Sequence, residues 1–200
     1  MNTSDEKLVQ NFRGGDEMAL EKLIERYLKP LYGFVFQLVR DEQSAQDIVQ
    51  EVFVKMWKHL SSFDQNKKFS TWIYAIAKNT ACDWLKKKKA LPFSVFEIAD
   101  GSNLLEFIED QNPLNSVELW QKMDNSQDAQ QFLDTLSPEH KTILLLHFQQ
   151  GFSLAEIAEI LGAPSNTIKS QFRRTILFLK NLSFSKSLNS KNAPKPSSVS

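Results

Sequence analysis

Between Ser153 and Leu179 the sequence reads SLAEIAEILGAPSNTIKSQFRRTILFL. Apolar residues recur every three or four positions on both sides of Gly162, which is the spacing of one buried face on each of two helices. Ser153 and Ser165 can cap these helices, and the glycine can supply the turn between them. Two short helices joined by a tight glycine turn form the helix-turn-helix pattern, whose second helix enters the major groove of DNA.

The second of these helices has a polar face opposite its apolar one. Counting about 100° per residue, Ile168, Phe172 and Ile176 align on one side. The other positions carry hydrogen-bonding and cationic side chains, which suit base edges and phosphates. A solvated face on an ordinary three-helix unit is the alternative, but the glycine turn and the small Ala158 at the helix crossing favour DNA binding. The candidate DNA contacts are Ser165, Asn166, Thr167, Lys169, Ser170, Arg173 and Arg174.

A further helix precedes this motif. Ser137 can cap it, Pro138 suits its first position, and Glu139 lies near its positive dipole end. The segment 131–182 is therefore predicted to form a helical domain. The segment 183–200 consists largely of Ser, Asn, Lys and Pro, with little to bury, and is predicted to be a disordered tail.

Residues 8–89 are predicted to form another domain, from four helices with the same spacing. Gly14 and Gly15 end the first helix, and Asp16 can cap the second. Pro30 is expected to kink or restart that second helix, because proline removes one backbone hydrogen bond. Nothing in the chain alternates like a β-strand. The predicted fold class is therefore all-α, with two small helical domains.

The third helix of this domain is expected to start from Ser44 as its cap, with Asp47 placed close to a capping box. The fourth helix is expected to start from the cap Ser70 and to run to about Lys89. One face of the third helix is apolar almost without exception. This face is made of Ala45, Ile48, Val49, Val52, Phe53, Met56, Trp57 and Leu60.

The opposite face of the third helix carries Asp47, Gln50, Glu51 and Val54. Ordinary solubilising charge, with Glu51 and Lys55 as an i,i+4 ion pair, is the default interpretation of such a face. Val54, however, is an apolar residue that this face would expose among acidic and polar neighbours. The four residues are therefore candidate contacts with another protein.

The segment from Phe63 to Phe69 interleaves aromatic and basic residues, and the next helix continues this pattern along one edge. Aromatic rings can stack on bases, amides can bind base edges and lysines can bind phosphates, which suits single-stranded DNA. In the alternative interpretation Trp72 belongs to the core, Asp83 forms a helix salt bridge and the lysines are a solvated end. The candidates are Phe63, Lys67, Lys68, Phe69, Trp72, Asn79, Asp83 and Lys86.

The formal net charge is zero, which argues against a general nucleic-acid coat protein, because such proteins are strongly basic. The charge is unevenly distributed, since residues 90–135 contain nine acidic residues and a single basic one, Lys122. We interpret 90–130 as a flexible acidic linker, with a short helix near 116–123. Basic surfaces on either side of an acidic linker suit a protein that binds DNA only with help.

Other function classes find little support. No apolar run approaches the roughly 18 to 20 residues that cross a bilayer, and the start of the chain lacks the features of a secretory signal. Cys82, the single cysteine, fits a reducing cytoplasm, where we expect the protein. His59, His140 and His147 lack metal-ligand spacing, and the sequence has no phosphate-cradling glycine loop or nucleophile motif. We expect neither an enzyme nor a bound metal or cofactor.

Taken together, these residues resemble the extracytoplasmic-function branch of the sigma-70 family. The similarity covers 8–89, which is region 2 in that family's terms, and 131–182, which is region 4. The helix-turn-helix alone is shared by many regulators, whereas three motifs in this order are specific. They resemble the polymerase-docking helix, the promoter-melting segment and the helix-turn-helix of the family, at Asp47–Phe53, at Phe69–Asn79, and at Leu154–Ala158 with Thr167–Ser170.

The resemblance implies a transcription initiation factor that binds core RNA polymerase and recognises the −10 and −35 elements of promoter DNA. Region 2 would bind the clamp helices of the largest subunit through Asp47, Gln50 and Glu51. Its loop and the Trp72–Asn79 edge would capture a flipped base. Region 4 would read the −35 element and touch the polymerase flap, while the linker would thread toward the RNA exit path. A further expected partner is an anti-sigma factor, membrane-bound or not.

Two positions depart from the family pattern. Gln171 stands where the family often has arginine, and Asn166 where glycine is common, so the family's detailed base code does not transfer. The alternative function is a conventional helix-turn-helix transcriptional regulator, with residues 1–89 as a sensor or dimerisation domain. That alternative predicts tight DNA binding without polymerase.

Overall fold

The computed structural model describes residues 3–89, 133 and 136–191. All regular secondary structure in these residues is helical, which confirms the predicted all-α class. None of these helices is long and apolar enough to cross a membrane. The elements are α1 (Asp5–Arg13), α2 (Glu17–Val39), α3 (Glu42–His59), a 3-10 turn (Leu60–Ser62), α4 (Phe69–Lys89), α5 (Pro138–Leu144), a π-helical turn (Leu145–Gln149), α6 (Leu154–Leu161) and α7 (Ser165–Lys191).

The glycine pair ends α1 as predicted, whereas the proline does not interrupt α2. Gly15, with a φ of 95°, makes the left-handed turn after α1. Helix α2 runs through Pro30 as one element, so the helix does not restart there. Proline costs the helix one backbone hydrogen bond. The apolar residues buried on both sides of it, including Leu23 and Leu31, hold the helix in place through tertiary packing.

Helices α3 and α4 start from caps that differ from the predicted ones. Asp41, not Ser44, caps α3: its Oδ1 accepts the Ser44 backbone N–H at 2.8 Å, and the Ser44 hydroxyl donates to the same atom. Helix α4 begins at Phe69 instead of after Ser70. The Phe69 N–H donates to the Glu6 carboxylate of α1 at 3.2 Å. A carboxylate is favourable at the positive end of a helix dipole, so α1 supplies the partner that α4 needs.

The first domain packs α2, α3 and α4 around one apolar core, with α1 against α2. Trp57 was predicted on the core face of α3 but is 57 % exposed, because the adjacent Met56 fills that part of the core and the next position points outward. Each fully buried side chain of this size contributes about 1.5–3 kcal/mol. The largest are Leu8, Leu23, Leu31, Phe34, Ile48, Met56, Leu60, Phe69 and Ile73.

Helices α5, α6 and α7 form a second unit with its own caps. The Ser137 Oγ accepts the His140 backbone N–H, and Pro138 occupies the first helical position, as predicted. Ser153 and Glu156 form a reciprocal capping box at the start of α6. Gly162, with a φ of 65°, makes the predicted turn before α7. The apolar faces meet in a core of Ile143, Leu144, Leu145, Leu146, Ile157, Ile160, Ile168 and Ile176.

Two predicted boundaries in this unit are wrong. Ser165 is the first residue of α7, not its cap. Helix α7 continues to Lys191, so the tail predicted to be disordered from 183 begins with helix. Outside the described residues lie the remainder of that tail, 192–200, and two further predictions, the acidic linker at 90–130 and its short helix near 116–123.

A polar contact fastens the start of α1 to α2. Asp5 accepts hydrogen bonds from the Tyr27 hydroxyl and from the Arg26 guanidinium. Burial, and then the hydrogen bond to Asp5, raise the pKa of the Tyr27 hydroxyl, which therefore remains a donor at neutral pH. The Tyr27 ring meets Phe69 edge-on at 5.3 Å, so the same side chain also supports the start of α4.

We expect Tyr27→Phe to lower the free energy of unfolding by about 1–2 kcal/mol, because the Asp5 carboxylate loses the hydroxyl that donates to it while the ring stays packed. Urea unfolding of the full chain, followed by circular dichroism, measures this change. Tyr32→Phe is the matched control, at a half-buried tyrosine whose ring stacks on Phe36 at 6.0 Å. Equal losses in the two variants would contradict a specific contribution from the contact with Asp5.

Candidate nucleic-acid and protein interfaces

The outer face of α3 presents the residues that the sequence indicated as protein contacts. Asp47, Gln50, Glu51 and Val54 are all exposed, while the opposite side of the helix is buried. Trp57 lies three residues beyond Val54 on the same side, and the two side chains are 57 % and 47 % exposed. These five residues are the docking face.

The docking face combines an apolar centre with a charged border. An exposed valine and tryptophan are unfavourable in water, and such side chains mark protein interfaces when polar groups surround them. Glu51 Oε1 pairs with Lys55 Nζ at 2.8 Å, as predicted, and Asp47 Oδ1 accepts from the Gln43 amide at 3.2 Å. The sequence pattern placed Trp57 on the core face of α3, because its position also fits the border of that apolar face. The signal that could have identified it is its three-residue spacing from Val54, which puts both side chains on the same side of the helix.

Phe63 and Phe69 are buried, which corrects the prediction that they offer exposed walls to DNA. Their ring centroids lie 5.8 Å apart, and both contact the half-buried Trp72, at 5.0 and 5.6 Å. Aromatic residues of a short loop lose water contact by folding back onto their own domain, and edge-on packing adds to that gain. Trp72 is the member of this cluster that retains an exposed part.

A side chain of α1 holds the backbone of the loop between α3 and α4, and the lysines of this loop are exposed to solvent. The Arg13 guanidinium donates to the carbonyls of Leu60 and Phe63. Lys67 and Lys68 are exposed. Lys68 Nζ lies 2.6 Å from Glu156 Oε1 of α6, so this lysine already has an anionic partner from the second unit.

Trp72, Asn79, Asp83 and Lys86 follow one edge of α4, and we refer to them as the melting edge. Asn79 and Asp83 are exposed, whereas Trp72 and Lys86 are half-buried. The Asn79 Oδ1 accepts from the Lys78 ammonium at 3.3 Å. A half-buried ring, an exposed amide and charged groups therefore follow one another along this edge of α4.

In α7 the predicted DNA contacts lie on the exposed or half-buried side, while Ile168 and Ile176 are buried. Asn166, Lys169, Ser170 and Arg173 are exposed, and Ser165, Thr167 and Arg174 are half-buried. The Ser170 hydroxyl donates to the Thr167 carbonyl at 2.9 Å. Next to this face, burial and then the charge of Arg174 lower the pKa of His140. The exposed cations and amide give α7 a surface that can meet a DNA groove.

Gln171 faces inward and is only 5 % exposed. Its Oε1 atom has no hydrogen-bond partner within the described part of the chain. The position at which the sequence departs from the family's frequent arginine is therefore a core position here. Gln171 in place of arginine therefore alters the packing beneath α7 and leaves the outer surface of the helix unchanged.

Metal chemistry was not expected, and the residues that the structure describes contain no group of three or more His, Cys, Asp or Glu side chains placed to hold an ion. Cys82 is buried in α4. Burial raises the pKa of its thiol, which keeps the sulfur protonated.

Comparison with known families and proteins identifies both helical units. Residues 23–91 match the family described as Sigma-70 region 2, and residues 126–179 match Sigma-70, region 4. The ECF RNA polymerase sigma factor SigW of Bacillus subtilis is 30 % identical over 175 residues, covering 84 % of this chain and 90 % of that protein. The ECF RNA polymerase sigma-E factor of Escherichia coli K12 is 29 % identical over 178 residues, covering 86 % and 90 %.

Solved structures agree at the level of the fold. CnrH, in complex with the cytosolic domain of CnrY, superposes with a TM-score of 0.64 at 20 % identity, covering 92 % of this chain and 99 % of that one. The sigma factor RpoE of Bartonella quintana, in complex with the anti-sigma factor NepR, gives a TM-score of 0.59 at 24 % identity, covering 81 % and 94 %. With both conserved regions present in order and a relative matched over nearly its whole length, this chain belongs to the ECF branch of the sigma-70 family.

Proposed function

We propose that this protein is a transcription initiation factor that binds core RNA polymerase in the cytoplasm and directs it to promoters with −10 and −35 elements. It assists melting and catalyses no reaction itself. The observation that carries the proposal is the presence of both sigma regions in one chain, each with an exposed candidate surface. The alternative function, a conventional helix-turn-helix regulator, does not explain the exposed residues of the docking face and the melting edge.

The domain at 8–89 would attach to polymerase through the docking face. Val54 and Trp57 would fill an apolar pocket between the clamp helices of the largest subunit. Asp47, Gln50 and Glu51 would make charged and amide contacts around them. Exposure of two large apolar side chains among polar ones supports this assignment, because an interface core surrounded by a polar rim has this composition.

The same domain would melt the −10 element with the melting edge. Opening a duplex requires unstacking bases, at a few kcal/mol each, and a protein recovers that energy by holding an extruded base. Asn79 is exposed on the same edge of α4 as Trp72, about two helical turns further on, and its amide can both donate to and accept from a base edge. Lys67, Lys68 and Lys86 would bind the neighbouring phosphates. With Phe63 and Phe69 in the core, Trp72 is the ring that remains for stacking.

The domain at 131–182 would read the −35 element with α7 and touch the polymerase flap. Lys169 and Arg173 are exposed cations on its outer face, and Asn166 and Ser170 add hydrogen-bonding groups. The acidic linker at 90–130 would thread toward the RNA exit path. The solved structure of RpoE contains the anti-sigma factor NepR, and that of CnrH contains the cytosolic domain of CnrY. We propose that an anti-sigma factor, membrane-bound or soluble, controls this chain.

Dependence on polymerase tests the proposed function. The net charge is zero, so the free protein should bind duplex promoter DNA weakly, while the protein with core polymerase should bind specifically and yield run-off transcripts. Gel shifts and transcription assays at physiological salt measure the two properties. Tight, sequence-specific binding by the free protein, with no effect of core polymerase, would instead support the conventional regulator.

The double variant Gln50→Ala, Glu51→Ala should weaken association with core polymerase by about tenfold, because two polar contacts beside the apolar centre of the docking face are lost together, and tenfold corresponds to about 1.4 kcal/mol. Binding is measured with labelled protein and purified core enzyme. The control is Gln10→Ala, Glu17→Ala, which changes exposed residues of the same types at the α1–α2 end of the domain. Wild-type affinity in the first double variant would remove the docking face from the polymerase interface.

Asn79→Ala should leave the fold and core binding nearly unchanged but lower open-complex formation, since the residue is exposed and its amide would hold the flipped base. Permanganate footprinting of thymines near the start site reports the open complex. On a promoter pre-melted by mismatches, the defect should shrink if Asn79 acts in opening and persist if it only reads the base. Wild-type permanganate reactivity in this variant would exclude Asn79 from the melting site.

A further inference from the structure

One face of helix α1 contacts the α3–α4 loop, residues 60–68, and the first residue of α4. Glu6, Gln10 and Arg13 follow one another at spacings of four and three residues, so their side chains lie on the same side of the helix. Each of the three binds a different part of the segment. The contacts therefore extend from the start of the loop to its end.

Arg13 holds the first part of the loop. Its guanidinium donates to the backbone carbonyl of Leu60 at 3.2 Å and to that of Phe63. The Phe63 N–H in turn donates to the Leu60 carbonyl at 3.3 Å. A guanidinium has several donors in a rigid planar arrangement, so one arginine can hold two carbonyls at a fixed separation. Arg13 therefore defines the shape of the chain where it leaves the 3-10 turn.

Gln10 and Glu6 hold the middle and the end of the segment. The Gln10 amide donates to the Gln65 side-chain carbonyl at 3.1 Å, in an exposed position where water competes for both groups. The Glu6 carboxylate accepts the Phe69 N–H at 3.2 Å in a partly buried position. The two partly buried contacts, from Arg13 and Glu6, thus lie at opposite ends of the loop.

Helix α1 is itself fixed to the rest of the domain. Leu8 and Val9 are buried in the core, and Asp5 accepts hydrogen bonds from Tyr27 and Arg26 of α2. A helix anchored both by apolar packing and by buried polar contacts has little freedom to move with the loop. The side chains that it extends toward the loop therefore start from a fixed support.

The loop reaches the melting edge through an aromatic ring. Phe63, whose carbonyl Arg13 binds, is 4 % exposed, and its ring centroid lies 5.0 Å from that of Trp72. Trp72 is half-buried and is the ring that the melting edge offers for stacking. A shift of the loop backbone would move the Phe63 ring and change the space beside Trp72. Arg13 can therefore influence the melting edge without being part of it.

We propose that α1 is a template that orders the α3–α4 loop before DNA arrives, and that Arg13 is a positioning residue that sharpens selection of the extruded base. The proposal rests on the proposed function, because it takes the loop and the melting edge as the site of base capture. A loop that is already ordered loses less conformational entropy when it binds. Groups held in one geometry also distinguish between similar ligands better than mobile ones do.

Hydrogen exchange in the free, full-length protein tests the template. The backbone amides of Phe63, Asn66 and Lys67 are hydrogen-bonded within the loop. In Arg13→Gln they should exchange about tenfold faster than in the wild type, because the open loop becomes more populated. Lys22→Gln is the matched control, since it removes one positive charge from an exposed position of α2. Equal exchange in the two variants would overturn the template.

Selectivity between bases tests the effect on function. The measured quantity is the ratio of open-complex rates, at saturating core polymerase, on the preferred promoter and on single-base variants of its −10 element. Arg13→Gln should lower this ratio severalfold, and Lys22→Gln should leave it at the wild-type value. Arg13→Lys should restore part of it, because an ammonium can still bind one of the two carbonyls. A variant that is only less stable would lower every rate by the same factor and leave the ratio unchanged.

An unchanged ratio in Arg13→Gln would overturn the role in base selection. If Arg13 instead bound a DNA phosphate directly, its loss would reduce the salt dependence of promoter binding and leave loop exchange unaltered, which would also contradict the proposal. The exchange measurement needs no polymerase, so it tests the template even if the run-off assay with the wild-type protein fails. A failed run-off assay would refute the proposed function instead.

Discussion

The packing of the Tyr74 ring between Phe34 and Phe152 is the contact on which the rest of the structure depends. It fixes the rotation of α4 about its axis, because a buried tyrosine with a hydrogen-bonded hydroxyl tolerates little reorientation. With Tyr74 turned inward, Asn79 and Asp83 of the melting edge must face outward. The same ring sets the position of the C-terminal unit on the N-terminal domain. The packing of the core and the exposure of the candidate DNA edge thus both depend on the orientation of α4.

The sequence predicted those parts of the fold that depend on local spacing. The apolar face of α3 buries Ile48, Val49, Val52 and Met56, and Ser153 caps α6, because periodicity and capping involve residues within a few positions of each other. Predictions failed where a distant residue decides the result. The start of α4 is satisfied by Glu6, 63 residues earlier in the chain, and no local pattern reveals that partner.

The candidate surfaces also divide into those that local spacing predicts and those that distant contacts decide. The outward face of α7 and the four predicted residues of the docking face are exposed as the helical wheel predicted. Phe63 and Phe69 are not, because spacing alone does not show whether the aromatic residues of a loop face solvent or fold back onto the domain. The Lys68–Glu156 pair joins residues that are 88 positions apart in the chain, and each of them was predicted to lie in a different domain. A contact between two independently patterned domains leaves no periodic signal in either of them.

A promoter open complex with this protein and core polymerase, solved by electron cryomicroscopy, tests the account most directly. We expect the docking face of α3 against the clamp helices and Asn79 within hydrogen-bond distance of an unpaired base. An open complex in which the docking face contacts no part of the polymerase, or in which the melting edge faces away from the unpaired strand, would contradict the account.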